Sequence, residues 1–180
     1  MQRTDRFTYH QTYLEHGYKE LTIPPRDGDF ALDPNALHIW PRGGSMMIAL
    51  PNRDRSFTCT LFWPFDGSGG LHTVDGDDAV RAHFERTYGD AVPLMPTLLE
   101  DYARNPIGSL VTIRCHPWHR GRALLIGDAA HAIVPFYGQG MNAGFEDCTV
   151  LDACIDEHGD DWARVLDSFT RRRRDDADAI

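Results

Sequence analysis

The stretch Gly121-Arg122-Ala123-Leu124-Leu125-Ile126-Gly127-Asp128 constrains the fold of this 180-residue chain more than any other. Apolar residues that stop abruptly at Gly-Asp read as a strand delivering a carboxylate at its C-terminal end, where open α/β sheets bind ligands. Gly127 lets the backbone come close to a ligand, and the Asp128 carboxylate accepts hydrogen bonds from hydroxyls, as a sugar or polyol would offer. Next comes Pro135-Phe136-Tyr137-Gly138-Gln139-Gly140-Met141-Asn142-Ala143-Gly144, a loop that opens into a helix near Gln139 or Gly140. Glycines without Cβ atoms leave room for a planar ligand against the peptide, and the first N–H groups of the helix point at it.

An electron-rich ring that becomes anionic is stabilised at such a helix start. A flavin is such a ring. The competing reading makes Gly138, Gly140 and Gly144 a dinucleotide fingerprint, but their spacing is GxGxxxG rather than GxGxxG. A proline-aromatic loop, not a strand, precedes them, so a Rossmann pyrophosphate site is rejected. His131 reads as a satisfied loop residue rather than a base. Ser45 is in no GxSxG elbow.

The first third reads as an antiparallel sheet, with β-branched and aromatic runs at Phe7 to Glu15, Tyr18 to Ile23, Ala36 to Trp40, Met46 to Leu50 and Ser56 to Trp63. In Phe57 to Phe62 the larger residues fall on alternate positions, so one face can be buried and the other can wall a pocket. From Gly76 the spacing becomes helical. Asp77 and Asp78 start a helix carrying Val80, Phe84 and Tyr88 and stopped at Gly89. A second runs from about Pro96 to Arg104 with Leu98, Leu99 and Tyr102 inward. Gly108 to Arg114 and Arg122 to Ile126 read as strands. The helix from Gly140 continues through Phe145, Val150 and Ile155. A last helix from about Asp161 packs Trp162, Val165, Leu166 and Phe169, and Arg171 to Arg174 with Asp175-Asp176 form its solvated end.

A hydrophobic fraction of 42% with 25% charged residues is enough to build a core. With 18 Lys+Arg against 27 Asp+Glu the net charge is −9, and no basic stripe is present. That argues against nucleic acid or an anionic membrane as partner, because both are bound mainly through clustered Lys and Arg. No apolar run reaches the roughly 18 residues of a spanning helix, and the N-terminal ten residues carry no signal-peptide core. Cys59, Cys115, Cys148 and Cys154 form no CxxC pair, as in a reduced cytoplasmic protein. Cys115-His116-Pro117-Trp118-His119 reads as a turn between strands rather than a zinc site, because no second cluster completes a tetrahedral set. No metal is expected.

The strand, Gly127-Asp128, the Pro135 loop and the glycine-rich helix start together resemble the second flavin motif of the FAD-dependent aromatic hydroxylases. Within that family the chain looks most like members that act on kynurenine. The similarity runs through Ala132 to Cys148, ending Phe145-Glu146-Asp147-Cys148, and includes His38-Ile39-Trp40-Pro41-Arg42-Gly43, Leu50-Pro51-Asn52 and Thr60-Leu61-Phe62-Trp63-Pro64-Phe65. The fold it implies is α/β (α+β): an antiparallel substrate-domain sheet with packing helices over 1–107, and the second part of an FAD-binding α/β domain over 108–180. It implies that Gly127, Asp128, Pro135, Gly138, Gln139, Gly140, Met141 and Asn142 line FAD, and that Phe65, Phe136 and Tyr137 lie by a small aromatic substrate. The implied reaction uses NADPH and O2 to hydroxylate L-kynurenine to 3-hydroxykynurenine in tryptophan catabolism. No acid-base residue is required, and none is assigned as catalytic. The family's N-terminal βαβ unit with GxGxxG is not in this sequence, nor are its N-terminal arginine and tyrosine and its C-terminal asparagine and tyrosine for the amino-acid group. The chain is therefore expected to be an internal piece. Two other readings stay open: a flavin hydroxylase of phenols, and a non-catalytic truncated remnant.

Overall fold

A computed structural model describes Gln2, residues 6–67 and residues 69–180. The chain divides into two compact units, Leu14–Ser109 and a second made of residues up to Tyr13 together with Leu110–Ile180. Strands β1 (Thr8–Ile23) and β5 (Ile107–His116) run through both. They belong to one five-stranded sheet, ordered β2-β3-β4-β1-β5, with β2 at His38–Arg42, β3 at Ser45–Pro51 and β4 at Phe57–Pro64.

In the Leu14–Ser109 unit the pairings are antiparallel, from His16↔Pro64 to Ile23↔Phe57 between β1 and β4, and from Met46↔Phe62 to Pro51↔Phe57 between β3 and β4. This register places Leu21, Ile23, Met47, Ala49, Phe57, Cys59 and Leu61 on one face, where all are buried. Helices α1 (Asp77–Tyr88) and α2 (Leu98–Arg104) cover that face with Val80, Phe84, Tyr88 and Leu98. Burying each large apolar side chain contributes about 1.5–3 kcal/mol. The helix starting at Asp77 and stopping before Gly89 is as its spacing predicts. The second begins two residues later than expected, with Thr97 in the flanking position.

Two of the expected runs, Phe7 to Glu15 and Tyr18 to Ile23, are one strand of 16 residues. Gly17 marks a close approach instead of a turn: a Cβ there would lie 2.7 Å from Phe65 Cε1 and 3.0 Å from Leu71 Cδ1. Hydrogen bonding from Phe65 N–H to Glu15 O keeps the strand paired past it.

In the other unit the expected strand Arg122 to Ile126 is cut to β7 (Ala123–Leu124), which among the described residues pairs only with β6 (His119–Arg120). A parallel strand needs neighbours to pair with, and among the described residues Leu125 finds one further bond, its N–H to Trp118 O at 2.7 Å. The expected turn from Cys115 to His119 shortens to Pro117-Trp118, since Cys115 and His116 end β5 and His119 starts β6; Trp118 is buried, its indole N–H donating to Cys115 O. Helices α4 (Gly140–His158) and α5 (Trp162–Ala179) pack together over Trp118, Ala130, Cys154, Val165 and Phe169. Asp161 caps α5 by accepting from Arg164 N–H.

The arginine block is solvated as expected at Arg171, Arg172, Arg174, Asp175 and Asp176, but it is neither the end of the helix nor solvated throughout. Helix α5 runs through it to Ala179, and Arg173 is 1% exposed. The periodicity is the reason: Val165, Phe169, Arg173 and Ala177 follow at intervals of four along one buried stripe. Trp162, expected on the packed side, is half exposed. Among the described residues no helix is long and apolar enough to cross a membrane.

Candidate functional site

Gly127 takes φ 56 and ψ −141, a conformation that L side chains rarely adopt, three residues past the end of β7. The single turn α3 (Asp128–His131) follows, its Ala130 and His131 N–H groups donating to Gly127 O. From its C-terminal end Ala132 O accepts from Ile113 N–H at 2.9 Å, tying the segment to β5. Pro135 then starts a 3-10 turn through Tyr137 that closes on Gly138, left-handed at φ 64, whose N–H returns to Pro135 O. Gln139 opens α4 without capping it, so its side chain leaves the first N–H groups of the helix unengaged.

These pieces converge. A Cβ on Gly140 would stand 4.0 Å from Asp128 Oδ1, and one on Gly144 would stand 3.8 Å from Gly127 Cα. Asp128 is exposed and no bond restrains its carboxylate among the described residues. The side chains of Gln139 and Asn142 bond each other at 3.0 Å. Met141 and Tyr137 stand 69% and 86% exposed. Thus Gly127, Asp128, Pro135, Gly138, Gln139, Gly140, Met141, Asn142, Phe136 and Tyr137 share one unit, whereas Phe65 belongs to the other, half-buried and stacked on His72 at 5.2 Å. A cleft of about 240 Å³ adjoins the loop, lined by Ile133, Val134, Phe136, Tyr137, Gln139 and His131 among others. Engineered cavities of about 150 Å³ hold benzene, so one substituted ring fits.

The arrangement suits a flavin. It offers an unengaged carboxylate for hydroxyls, an uncapped helix start for an electron-rich ring, and glycines where a Cβ would narrow the space between them. Among the described residues no group of three His, Cys, Asp or Glu side chains could hold a metal.

Beneath the turn lies a buried ion cluster that the sequence reading did not single out. Asp147 accepts from Gly127 N–H at 2.8 Å, from His131 Nε2 at 2.7 Å and from Arg173 Nε at 2.9 Å. Burial alone would raise the Asp147 carboxyl, but the bonds from His131, Gly127 and Arg173 hold it below the usual carboxylate range. His131 is thereby a satisfied core histidine. A signal was present: Asp147 follows Ala143 by four and precedes Cys154 by seven, so a carboxylate sits on the apolar stripe of α4.

A family profile described as an FAD binding domain matches residues 36–180. Over its whole length the chain is 52% identical to a kynurenine 3-monooxygenase of Flavobacterium psychrophilum and 48% identical to one of Dictyostelium discoideum. It is 48% identical over 97% of its length to that of Sus scrofa. The chain spans only 41%, 42% and 37% of those three proteins. Among solved structures it resembles 2-methyl-3-hydroxypyridine-5-carboxylic acid oxygenase, with a TM-score of 0.72 and 19% identity over 96% of this chain and 46% of that one. It also resembles Klebsiella pneumoniae HpxO complexed with FAD and uric acid, with a TM-score of 0.67 and 21% identity over 93% and 42%. These two likenesses establish the α/β fold that the sequence predicts, and with the profile covering all but the first 35 residues, the chain belongs to the FAD-binding-domain family.

Proposed function

We propose that this chain builds the ribityl and ring side of the flavin site in a monooxygenase that uses FAD, NADPH and O2 to hydroxylate L-kynurenine to 3-hydroxykynurenine. The observation that carries this reading is the Gly127-Asp128 turn set against the uncapped, glycine-rich start of α4. The similarity to proteins named kynurenine 3-monooxygenase supports kynurenine as the substrate. Asp128 accepts hydrogen bonds from the ribityl hydroxyls. Pro135, Gly138, Gln139 and Gly140 form the surface beside the ring, and Met141 and Asn142 lie against it through the first turn of α4. The positive end of that helix stabilises negative charge on the reduced ring.

When bound, FAD supplies the redox chemistry, taking electrons from NADPH and activating O2. The chain's share is to orient the ring, exclude water and hold the substrate, with Phe136 and Tyr137 as aromatic walls. In this reading residues 108–180 serve the flavin and residues 1–107 the substrate.

The test is a titration of the purified chain with FAD, followed by flavin fluorescence, with Asp128→Ala as control. Hydrogen bonds to a charged group contribute about 1.5–3 kcal/mol, so the variant should bind at least about tenfold more weakly. Its melting temperature should be unchanged, because Asp128 is exposed and holds no described partner. NADPH oxidation stimulated by kynurenine and not by 4-hydroxybenzoate, with 3-hydroxykynurenine as product, fixes the substrate. A folded chain that binds no FAD, or binds it equally in both forms, overturns the reading.

A further inference from the structure

We propose that Asp147 is a positioning residue for the flavin turn: one buried carboxylate sets the direction in which Asp128 faces. This rests on the flavin reading above. Asp128 has no bond of its own among the described residues, so its aim is fixed by the backbone at either end of α3. Both ends are tied to the same oxygen. Gly127 N–H, just before Asp128, and His131 Nε2, at the last residue of the turn, both reach Asp147 Oδ2. The other oxygen, Oδ1, takes Arg173 Nε, and Arg173 Nη2 reaches on to Ala143 O at 3.3 Å. Arg173 Nη1 lies 2.9 Å from Glu146 Oε2, an ion pair without hydrogen-bond alignment.

The carboxylate thus ties three segments together: the Gly-Asp turn, the first two turns of α4 and the second half of α5. It is 0% exposed and cannot meet a ligand itself. Its effect on a flavin is exerted through Gly127, whose backbone is held at a positive φ while Gly144 packs beneath it. A polar network in a low-dielectric interior holds its members more rigidly than the same bonds do in water.

Asp147→Asn tests the role because it keeps the shape and removes one acceptor. The charged Arg173 claims the remaining carbonyl oxygen. His131 can change tautomer and accept from the new amide. Gly127 N–H is then left facing an N–H2 group with nothing to bond.

The variant should show backbone amide exchange at Gly127 to His131 about tenfold faster or more, with exchange in β4 and α1 unchanged. Its FAD Kd should rise about tenfold or more, and the visible spectrum of the flavin at saturation should shift. Asp128→Asn should weaken FAD while leaving exchange at Gly127 slow. Arg173→Lys withdraws Nε from Oδ1 and spares both bonds to Oδ2, so it should lower the melting temperature and leave the FAD Kd within about twofold.

Exchange at Gly127 that is unchanged in Asp147→Asn, or already fast in the wild-type chain, overturns the proposal; the wild-type measurement decides if the variant fails to fold. Equal FAD Kd values in wild type and Asp147→Asn overturn the role of Asp147 and leave the flavin reading standing. A wild-type chain that binds no FAD overturns both.

Discussion

His83 shows how a single side chain can carry a pH dependence. It is buried on α1, its ring 4.1 Å from that of Trp63. Arg86 Nη2 lies 3.2 Å from its Nδ1. A guanidinium only donates, so Nδ1 accepts and Nε2 carries the proton, with no acceptor among the described residues. Burial first, and then the Arg86 charge, push its pKa from 6.5 down to about 4. Between those values the unfolded chain binds a proton that the folded chain refuses. Stability is therefore fully present above pH 6.5, falls as pH drops towards 4, and loses about 3 kcal/mol over that window. His116, lowered mainly by burial, adds to the same fall, whereas Asp147 lends stability that is lost only at more acid pH. His83→Phe should melt no lower at pH 7.5, since it removes an unsatisfied N–H. Its melting temperature should fall less steeply than that of wild type from pH 6.5 to 4.5, and equal slopes would refute the assignment. The chain turn at Gly127-Asp128, with Gly127 at a positive φ, was legible in the sequence because it is written in adjacent positions. Asp147 and Arg173 are 26 positions apart, and nothing local to either announces the other.

Elements were legible where one periodicity ran unbroken, as in α1, and misread where a residue type carried a stronger habit than its position. The four consecutive arginines of α5 have the composition of a solvated end, yet the stripe of Val165, Phe169 and Ala177 puts Arg173 inside. Two substitutions separate habit from position. Arg173→Ala leaves Asp147 buried and short of its charge partner, a change that costs about 3–5 kcal/mol. Arg171→Ala breaks only the exposed pair with Asp167 and should stay within about 0.5 kcal/mol of wild type. Urea unfolding measures both, and equal losses would show that the block acts as a unit of charge. The break expected between the runs Phe7 to Glu15 and Tyr18 to Ile23 is a second misreading, since Gly17 is a packing position inside β1. Gly17→Ala drives a methyl group into the Phe65 ring and Leu71, and overpacking of this kind costs about 1–3 kcal/mol. A variant as stable as wild type would mean that Phe65 swings aside freely.

Across the whole molecule, order along the chain and membership of a unit part company. Residues 14–109 form a unit from one continuous stretch, while the other gathers a segment ending at Tyr13 and one starting at Leu110. A linear reading divides the chain near position 107 and has no means of assigning the first strand residues to the C-terminal part. That assignment depends on pairing and packing across about a hundred residues, as when Thr8 Oγ1 donates to His116 O. The same asymmetry predicts how the units tolerate isolation. Every buried residue of the larger core cluster, from Leu21 to Leu98, lies within 14–109, whereas the smaller cluster, from Cys115 to Ala177, also packs Phe7 against itself. The continuous unit closes its contacts over shorter loops and draws no core residue from outside. Expressed alone, residues 14–109 should unfold in one cooperative urea transition seen alike by circular dichroism and by fluorescence of Trp40 and Trp63. Residues 110–180 alone, deprived of the first strand segment, should give a broader transition with a smaller urea dependence. A cooperative 110–180 and a non-cooperative 14–109 would reverse the assignment of the independent core.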